Sequence, residues 1–508
     1  MPSRGEVVIS IEGNEVLVSQ AELLTDRAAR MLFVSLLGAQ PTESGWRCQP
    51  RSNSLSSLVV RINTFLESKG WHVRRVGIAD EAVQREIERK HSFQRTRESA
   101  AALRQGDVHI DLAEVKATIR SYGWNETGRK LLDHQERGLV HGLTAINAAN
   151  FSVPGSGKTA TTLAIATVHL ASGTVDVVVV VGPLSCFSPW EKEVQIAIPR
   201  CLTTKRIRGS ASQRRISYSS VRSGQLLLAS YASAASDRAA LIELCRAHRV
   251  MLVIDESHRI KRFRGGIWAP ALLEIAKYAR VKIILSGTPM PQSGKDLYTQ
   301  LNILWPSGEL TGPRDSFTAR IDKDFASVLR DIQPFVSRTP KESLGLPPYE
   351  VVKHEIPITR TQAEIYDLIE SNFRRRVEGA TSWQEKLDTL RRARPIRLLQ
   401  AATNPDLLNK TDSYYRLPRI AMPNPTLMER LAAYRVSDVP AKSQAALGLV
   451  HRIAERGEKV VCWSNFVPNL DQFSELVRHT ATLPCFQIDG RVPAGDEALD
   501  DLPDRLQP

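Results

Sequence analysis

The sequence predicts an α/β protein whose main part is a parallel sheet covered by helices, and three observations support this fold class. Between residues 121 and 306, short apolar runs alternate with helical stretches. Runs such as Val177-Val-Val-Val-Val181 are apolar on both faces, which is typical of strands buried between two helical layers. Alternating, strand-like sequence precedes this region, and arginine-rich helical sequence follows it.

The composition indicates a soluble protein of several domains. A chain of 508 residues predicts about two to four domains. No apolar run reaches the roughly 20 residues that cross a bilayer, and the N-terminus lacks the apolar core of a signal peptide. Six scattered cysteines without a C-x-x-C pair favour a reducing cytoplasm. The net charge of +13 would attract a polyanion, although many soluble proteins are simply basic.

Residues 1–120 are expected to form an α+β accessory domain of unknown role. Two alternating runs at residues 6–11 and 15–18, joined at Glu12-Gly-Asn, predict a β-hairpin. Residues 80–104 are charged and helical in period but have no sustained apolar face.

The remaining chain divides into three predicted parts. Residues 121–306 form the first α/β lobe, with strands expected at residues 150–153, 175–181, 225–229, 251–254 and 282–285. Residues 307–425 are mainly helical, and residues 426–508 begin a second α/β lobe. In that second lobe we expect a helix at residues 445–456, a strand at 459–463 and a helix at 469–480.

The loop after the first predicted strand has the residues of a phosphate-binding loop. The sequence Phe151-Ser-Val-Pro-Gly-Ser-Gly-Lys-Thr159 lies between that strand and a helical run. Glycines allow successive main-chain N–H groups to face one concavity at a helix N-terminus, which suits phosphates. The lysine would reach the β- and γ-phosphates, and the threonine would bind Mg²⁺. The candidate residues are Pro154, Gly155, Ser156, Gly157, Lys158 and Thr159. Ser152 replaces the first glycine of the strict pattern, so a plain turn is the alternative.

The run Val250-Met-Leu-Val-Ile-Asp-Glu-Ser-His258 predicts a buried strand whose carboxyl end carries two acids. Ligands in open parallel sheets bind at that edge. Asp255 is suited to hold Mg²⁺, Glu256 to deprotonate the attacking water, and His258 to link this loop to the next strand. In the alternative interpretation, the acids merely favour a helix N-terminus.

The order of these segments resembles the Swi/Snf-type ATPases of helicase superfamily two. Further segments that resemble the family, in its order, lie at residues 131–139, 183–193, 228–231, 285–290, 296–306, 334–341, 346–348, 362–366, 396–405, 459–466 and 487–490. The resemblance covers about residues 128–492, and its acidic box corresponds to Asp255-Glu-Ser-His258. It implies a RecA-like P-loop lobe, a partial second RecA-like lobe and a helical region between them.

The resemblance also implies cofactors, a partner and further site residues. ATP and Mg²⁺ are the expected cofactors, and double-stranded DNA is the expected partner. Gln135 would read the adenine edge, while Ser286 and Thr288 would couple the ATP state to DNA contact. The implied nucleic-acid residues are Pro183, Ser185, Tyr231, Ser286, Thr288, Ser464 and Asn465. A strand-to-turn cap without a ligand is the alternative for Ser286-Gly-Thr288.

One departure from the family pattern concerns the second lobe. The late glycine-rich segment and the Q-x-x-x-R-x-x-R segment, which supplies arginine fingers, do not follow Gly490. The chain is therefore expected to be a truncated piece, to be completed by a separate subunit, or to bind ATP with little turnover. We favour truncation.

Three functional hypotheses remain. The first is an ATP-dependent translocase on double-stranded DNA, and the second is a regulatory subunit that binds ATP and DNA with little turnover. The third, a strand-separating or RNA-directed helicase, is disfavoured by the Trp190-x-x-Glu193 and Asn404-Pro405 segments. The basic stretches at residues 374–376 and 391–397 either flank the duplex or form a solvated helix face, and residues 205–215 are expected to form a surface loop. Trp190 and Trp463 are expected to be packed beneath the lobes.

Overall fold

Our computed structural model describes residues 5–50, 55–105, 110–260, 266–306, 308–379, 394–409, 425–481 and 483–491. The chain divides into two compact units, Met1–Leu346 and Pro347–Pro508. The domain boundary predicted at residue 306 falls inside the first unit, because a strand beyond it returns to the main sheet. None of the described helices is long and apolar enough to cross a membrane.

The first unit begins with a small mixed sheet. It contains β1 (Glu6–Glu12), β2 (Glu15–Ser19), β3 (Gln40–Thr42), β4 (Gly45–Cys48) and β5 (His72–Arg75), in the order β3-β4-β2-β1-β5. The predicted hairpin is present, since β1 and β2 pair antiparallel around a left-handed Gly13. Alternation buries Val7, Ile9, Val16 and Val18 in a core shared with helices α1 (Arg27–Arg30) and α2 (Leu55–Ser68).

A long helix joins this sheet to the rest of the unit. Helix α3 (Ile78–Gln105) is followed by α4 (Leu112–Ser121). Along α3, Val83 belongs to the N-terminal core, while Phe93 and Ala100 contact the cores on the two sides of the main sheet. Phe93 packs between Trp305 and Phe335, with ring centroids 4.9 and 5.4 Å away. Because these contacts are spread along α3, its sequence shows no single apolar stripe.

The main sheet of the first unit is entirely parallel. Its strands are β6 (Ala148–Asn150), β7 (Val177–Gly182), β8 (Thr203–Arg206), β9 (Gln225–Ser230), β10 (Val250–Ile254), β11 (Val281–Leu285) and β12 (Val336–Ser337). They lie in the order β12-β6-β11-β10-β7-β9-β8, and every neighbouring pair is parallel. Four of the five predicted strands are present; the first, expected at residues 150–153, instead lies at Ala148–Asn150, and residues 151–153 begin the loop that follows it. The α/β, RecA-like fold class is confirmed.

Helices cover both faces of this sheet, so its central strands are buried throughout. The helices around the sheet are α5 (Asp133–Ala145), α6 (Lys158–Ala171), α7 (Phe187–Ala197), α8 (Ala211–Ser219), α9 (Tyr231–Ser236), α10 (Arg238–Ala247), α11 (Trp268–Ala276), α12 (Leu297–Leu304), α13 (Arg314–Lys323) and α14 (Phe325–Ile332). The loop expected at residues 205–215 is limited to residues 207–210, which connect β8 to α8. Trp190 is fully buried, as predicted.

A buried histidine near the end of α6 gives this unit a testable pH dependence. Burial lowers the pKa of His169 to about 4, from an ordinary value near 6.5. The folded state therefore resists protonation, and stability is lost as pH falls through 6.5 toward 4. The wild-type protein should have a lower free energy of unfolding at pH 5 than at pH 8. We expect this difference to be about 2 kcal/mol smaller in His169→Leu. Urea unfolding of both proteins at the two pH values measures this difference, and equal losses would contradict it.

The second unit is described here as helices with extended segments between them. Its helices are α15 (Arg360–Gly379), α16 (Arg394–Thr403), α17 (Pro425–Ser437), α18 (Ala441–Ala454) and α19 (Val467–Ala481). Apolar residues of α15, α16 and α17 form its core, including Ile365, Ala401 and Leu431. Helices α18 and α19 match the two predicted near residues 445–456 and 469–480.

Two predictions in this unit differ from the structure. Residues 459–463 are extended but not a strand, because no described neighbouring segment supplies the hydrogen bonds of a ladder. The packing expected for Trp463 is wrong, since 93% of this residue is exposed. Among the basic stretches, Arg397 is buried and donates a hydrogen bond to Gln400. Residues 391–393 and the side chains of Arg375 and Arg376 lie outside the described residues.

Candidate nucleotide site

The loop between β6 and α6 has two glycines in the left-handed region. Gly155 has φ 81° and Gly157 has φ 76°, conformations that other residues adopt only with strain. A Cβ atom on Gly155 would meet nothing within 4 Å, whereas one on Gly157 would overlap the Gln135 amide nitrogen. Gly155 therefore borders open space just before the N-terminus of α6, and Gly157 permits close packing beneath the loop.

Lys158 connects this loop electrostatically to the acidic loop. Its Nζ donates hydrogen bonds to the carbonyl oxygens of Ser152 (3.1 Å) and Val153 (3.4 Å). Burial lowers the pKa of Lys158, and the carboxylates of Glu256 and Asp255 oppose that shift. The charges of the lysine and of both acids therefore influence one another.

The acidic loop begins where β10 ends, at Ile254. The Asp255 amide donates to the Val181 carbonyl (2.8 Å), which continues the pairing with β7. Both carboxylate oxygens of Asp255 accept hydrogen bonds, Oδ1 from the Glu256 amide and Oδ2 from the Trp190 indole, each at 2.9 Å. Glu256 has φ 53°, a left-handed conformation that costs a residue with a Cβ atom about 1–2 kcal/mol.

His258 links the acidic loop to the loop after β11. Its Nδ1 lies 3.3 Å from Glu256 Oε2 and 3.1 Å from Ser286 Oγ. Ser286 Oγ in turn accepts a hydrogen bond from the Thr288 amide (3.1 Å). Between these two residues, Gly287 lies so close to the phosphate loop that a Cβ atom would be 2.9 Å from Pro154. Because β6, β11 and β10 are adjacent, their three loops meet at one edge of the sheet.

Comparison with known proteins identifies the family of this arrangement. A family model described as the SNF2-related domain matches residues 151–405, half of the chain. The chain belongs to the SNF2-related family. Its predicted membership in the Swi/Snf-type helicase-like ATPases of superfamily two is thus confirmed.

Two relatives of this SNF2-related chain match shorter regions. It is 27% identical over 199 residues to the transcription regulatory protein SNF2 of Saccharomyces cerevisiae, a match that covers 38% of this chain and 11% of the relative. It is 29% identical over 175 residues to helicase SWR1 of Mycosarcoma maydis, covering 34% and 9%. The chain thus spans only a small part of the length of these relatives.

Solved structures that match this chain include the Sulfolobus solfataricus SWI2/SNF2 ATPase core in complex with dsDNA. The sequence identity is 20% and the TM-score is 0.39. The match covers 74% of this chain and 75% of that one.

In this SNF2-related chain, the Gln135 side chain is hydrogen-bonded to the main chain of the phosphate loop. Its Oε1 accepts a hydrogen bond from the Leu132 amide (3.0 Å), and its Nε2 donates to the Ser156 carbonyl (3.2 Å). The neighbouring His134 ring nitrogen Nε2 lies 2.9 Å from the same carbonyl. Gln135 is buried, and both functional groups of its amide bind main-chain atoms. A role in reading adenine stays a prediction.

The glycine packed against Gln135 gives a direct test of this local structure. We expect Gly157→Ala to lower the free energy of unfolding by about 2–4 kcal/mol, because strain at φ 76° adds to overlap with Gln135. Gly155→Ala is the matched control, since it has the same strain but open space around the new Cβ atom. Urea unfolding should show a smaller loss for the control, and equal losses would contradict the proposed packing.

The residues expected to contact nucleic acid differ in accessibility. Ser185, Thr288 and Asn465 are exposed, while Pro183 and Ser464 are partly buried. Ser286 is fully buried and Tyr231 is 3% exposed, so both side chains face the protein interior, and their assignment to the nucleic-acid site stays a prediction. Ser286 Oγ is hydrogen-bonded to His258, and the Tyr231 hydroxyl is hydrogen-bonded to main-chain carbonyls of the acidic loop. The sequence indicated the strand ends but not which side chains turn inward.

The described residues fit ATP and Mg²⁺ as ligands. Ser156 Oγ is buried and has no hydrogen-bond partner in the described part of the chain, and the first N–H groups of α6 have no acceptor within the helix. No group of three or more His, Cys, Asp or Glu residues among those described could hold a metal. Mg²⁺ usually takes one or two protein ligands and completes its shell with phosphates and water, and Thr159 and Asp255 stay the predicted ligands.

Proposed function

We propose that this SNF2-related chain is an ATP-driven motor on double-stranded DNA, which hydrolyses ATP with Mg²⁺ to move along DNA or remodel DNA–protein complexes. The observation that carries the proposal is the meeting of the phosphate loop, the acidic loop and the loop after β11 at one edge of the sheet, where Gly287 lies against Pro154 and His258 contacts both Glu256 and Ser286. Two relatives are named as a transcription regulatory protein and a helicase, which supports a DNA-directed activity. The net charge of +13 supports a polyanionic partner.

Binding of ATP uses groups that the described loops already present. The N–H groups at the start of α6 follow Gly155, which borders open space, and would bind phosphate oxygens. Lys158 would exchange its two carbonyl acceptors for the β- and γ-phosphates. Thr159 and Asp255 would hold Mg²⁺, which neutralises negative charge on the phosphates when bound.

Hydrolysis then requires a base beside the γ-phosphate. Glu256 would accept a proton from water as the water oxygen bonds to the γ-phosphorus and the bond to the β–γ bridging oxygen breaks, leaving ADP and phosphate. His258 lies 3.3 Å from the Glu256 carboxylate and would orient it. Since His258 also contacts Ser286, the state of this carboxylate can be relayed to the exposed Thr288 beside it.

Phosphate release by the purified chain, with and without duplex DNA, tests the proposal. A motor should hydrolyse ATP, and duplex DNA should raise the rate. Binding of ATP and DNA without turnover would favour the regulatory subunit instead. Displacement of one strand of a partial duplex would favour a strand-separating helicase.

The exposed Ser185 provides a test of the DNA-facing edge. It follows β7 at the edge that carries the nucleotide site, so a new negative charge there would repel phosphates. We expect Ser185→Glu to weaken duplex binding about fivefold or more at low salt, without changing hydrolysis in the absence of DNA. Fluorescence anisotropy across a salt series measures the effect, which should shrink as salt screens the charge.

The control for this test is Ser219→Glu. Ser219 is exposed at the end of α8 and precedes β9, which places it toward the opposite edge of the sheet. The same charge there should leave duplex affinity unchanged. Equal weakening by both substitutions would reveal a general charge effect and would contradict the assigned edge.

A further inference from the structure

Tyr231 connects the end of β9 to the acidic loop. It is the first residue of α9 and is 3% exposed. Its hydroxyl donates a hydrogen bond to the Asp255 carbonyl (2.6 Å) and lies 3.2 Å from the Glu256 carbonyl. Its ring stacks on Trp268 with centroids 5.3 Å apart and an interplanar angle of 20°. The aromatic ring is therefore fixed, and its one polar atom is directed at the backbone of both acids.

The backbone that Tyr231 holds is strained. Glu256 adopts φ 53°, which is costly for a residue with a Cβ atom and persists only where surrounding contacts determine it. Within the loop, the Glu256 amide binds Asp255 Oδ1, and the Arg259 amide binds the Glu256 carbonyl at 3.0 Å. The Tyr231 hydroxyl adds a side-chain contact to the main-chain carbonyls of both Asp255 and Glu256.

The Asp255 side chain has a second aromatic support. The indole N–H of Trp190 donates to Asp255 Oδ2 at 2.9 Å, and Trp190 is fully buried. One aromatic residue thus fixes the Asp255 carboxylate, and another fixes the main chain that carries both acids. These supports come from α7 and α9, which follow β7 and β9 at the same edge of the sheet.

We propose that Tyr231 is a positioning residue for ATP hydrolysis, whose hydroxyl fixes the left-handed turn that directs the Asp255 and Glu256 carboxylates toward the nucleotide. The inference rests on the proposed function. Burial, reinforced by the Asp255 charge, raises the pKa of Tyr231 well above its ordinary value, so the hydroxyl remains a donor at working pH. Tyr231 therefore acts through the acids and does not itself touch ATP.

The test is Tyr231→Phe, which removes the hydroxyl and keeps the ring that stacks on Trp268. Because misplacement of a catalytic group by about 1 Å can lower rates about a hundredfold, we expect kcat to fall about ten- to a hundredfold. The KM for ATP should change less than twofold, since the phosphate loop is untouched. The Mg²⁺ concentration at half-maximal turnover should rise, because Asp255 is less well oriented. A merely structural role would not move that Mg²⁺ requirement.

Tyr218→Phe is the matched control. Tyr218 is 2% exposed in the same unit, and its hydroxyl lies 3.5 Å from Asp237, away from the acidic loop. This variant should keep the wild-type kcat and Mg²⁺ requirement. If Lys158→Ala is inactive while Tyr231→Phe behaves like Tyr218→Phe, the positioning role is overturned and the proposed function stands. If Lys158→Ala remains fully active, the proposed function fails, and this inference fails with it.

Discussion

Replacing Lys158 by alanine is expected to reduce ATP hydrolysis about a hundred- to a thousandfold. Lys158 is the cation of the phosphate loop that both Asp255 and Glu256 influence. In the transition state it would stabilise charge on the terminal phosphates from a partly buried position, where removal of a single donor typically has an effect of this size. Steady-state phosphate release at saturating ATP and Mg²⁺ measures the loss.

The control for this experiment is Lys277→Ala. Lys277 is exposed at the end of α11 in the same unit, so its removal changes the net charge equally without altering the loop. We expect the wild-type rate from this control. Unchanged turnover in Lys158→Ala would mean that the observed hydrolysis occurs elsewhere, and the site assignment would be wrong.

Replacing Glu256 by glutamine is expected to lower kcat about 10²–10⁴-fold, because the amide cannot accept the proton from water. The substitution retains the shape of the side chain and the left-handed backbone. Lys158, the glycines and Asp255 remain in place, so ATP should still bind with nearly wild-type affinity. Single-turnover hydrolysis and binding of a fluorescent ATP analogue separate these two quantities.

Glu243→Gln provides the comparison for that experiment. Glu243 is exposed on α10, and the same loss of one charge there should leave both kcat and affinity unchanged. A Glu256→Gln protein with the wild-type kcat would show that another group accepts the proton. Loss of ATP binding in that protein would instead assign Glu256 a binding role.

The sequence predicted the central strands correctly because burial on both faces leaves a continuous apolar run. β7 and β10 are the clearest examples, with every residue buried. β8 was missed because Thr203–Arg206 lies at the sheet edge and carries polar side chains. β12 was missed because it has only two residues, and its pairing with β6 depends on a return of the chain after residue 330. This return of the chain to the sheet depends on tertiary packing, and no local sequence pattern predicts it.

The candidate site shows a similar division. Motifs placed Lys158, Asp255 and Glu256 at the carboxyl ends of two strands of one sheet, because the residues that bind phosphate and metal are few and follow fixed spacings. The supporting roles of Trp190 and Tyr231 were not predictable. Their partners lie 65 and 24 residues further along the chain, and nothing local in the sequence indicates such contacts. Exposure of Trp463 was likewise missed, since an apolar residue in a strand-like run favours burial.

Titration of a non-hydrolysable ATP analogue into the protein by calorimetry, with Mg²⁺ present, tests the central claim most directly. The account predicts binding of one nucleotide per chain, with affinity that falls sharply in Lys158→Ala and persists in Glu256→Gln. The absence of binding heat at several temperatures, or equal affinity in the wild type and Lys158→Ala, would contradict a nucleotide site formed by these loops.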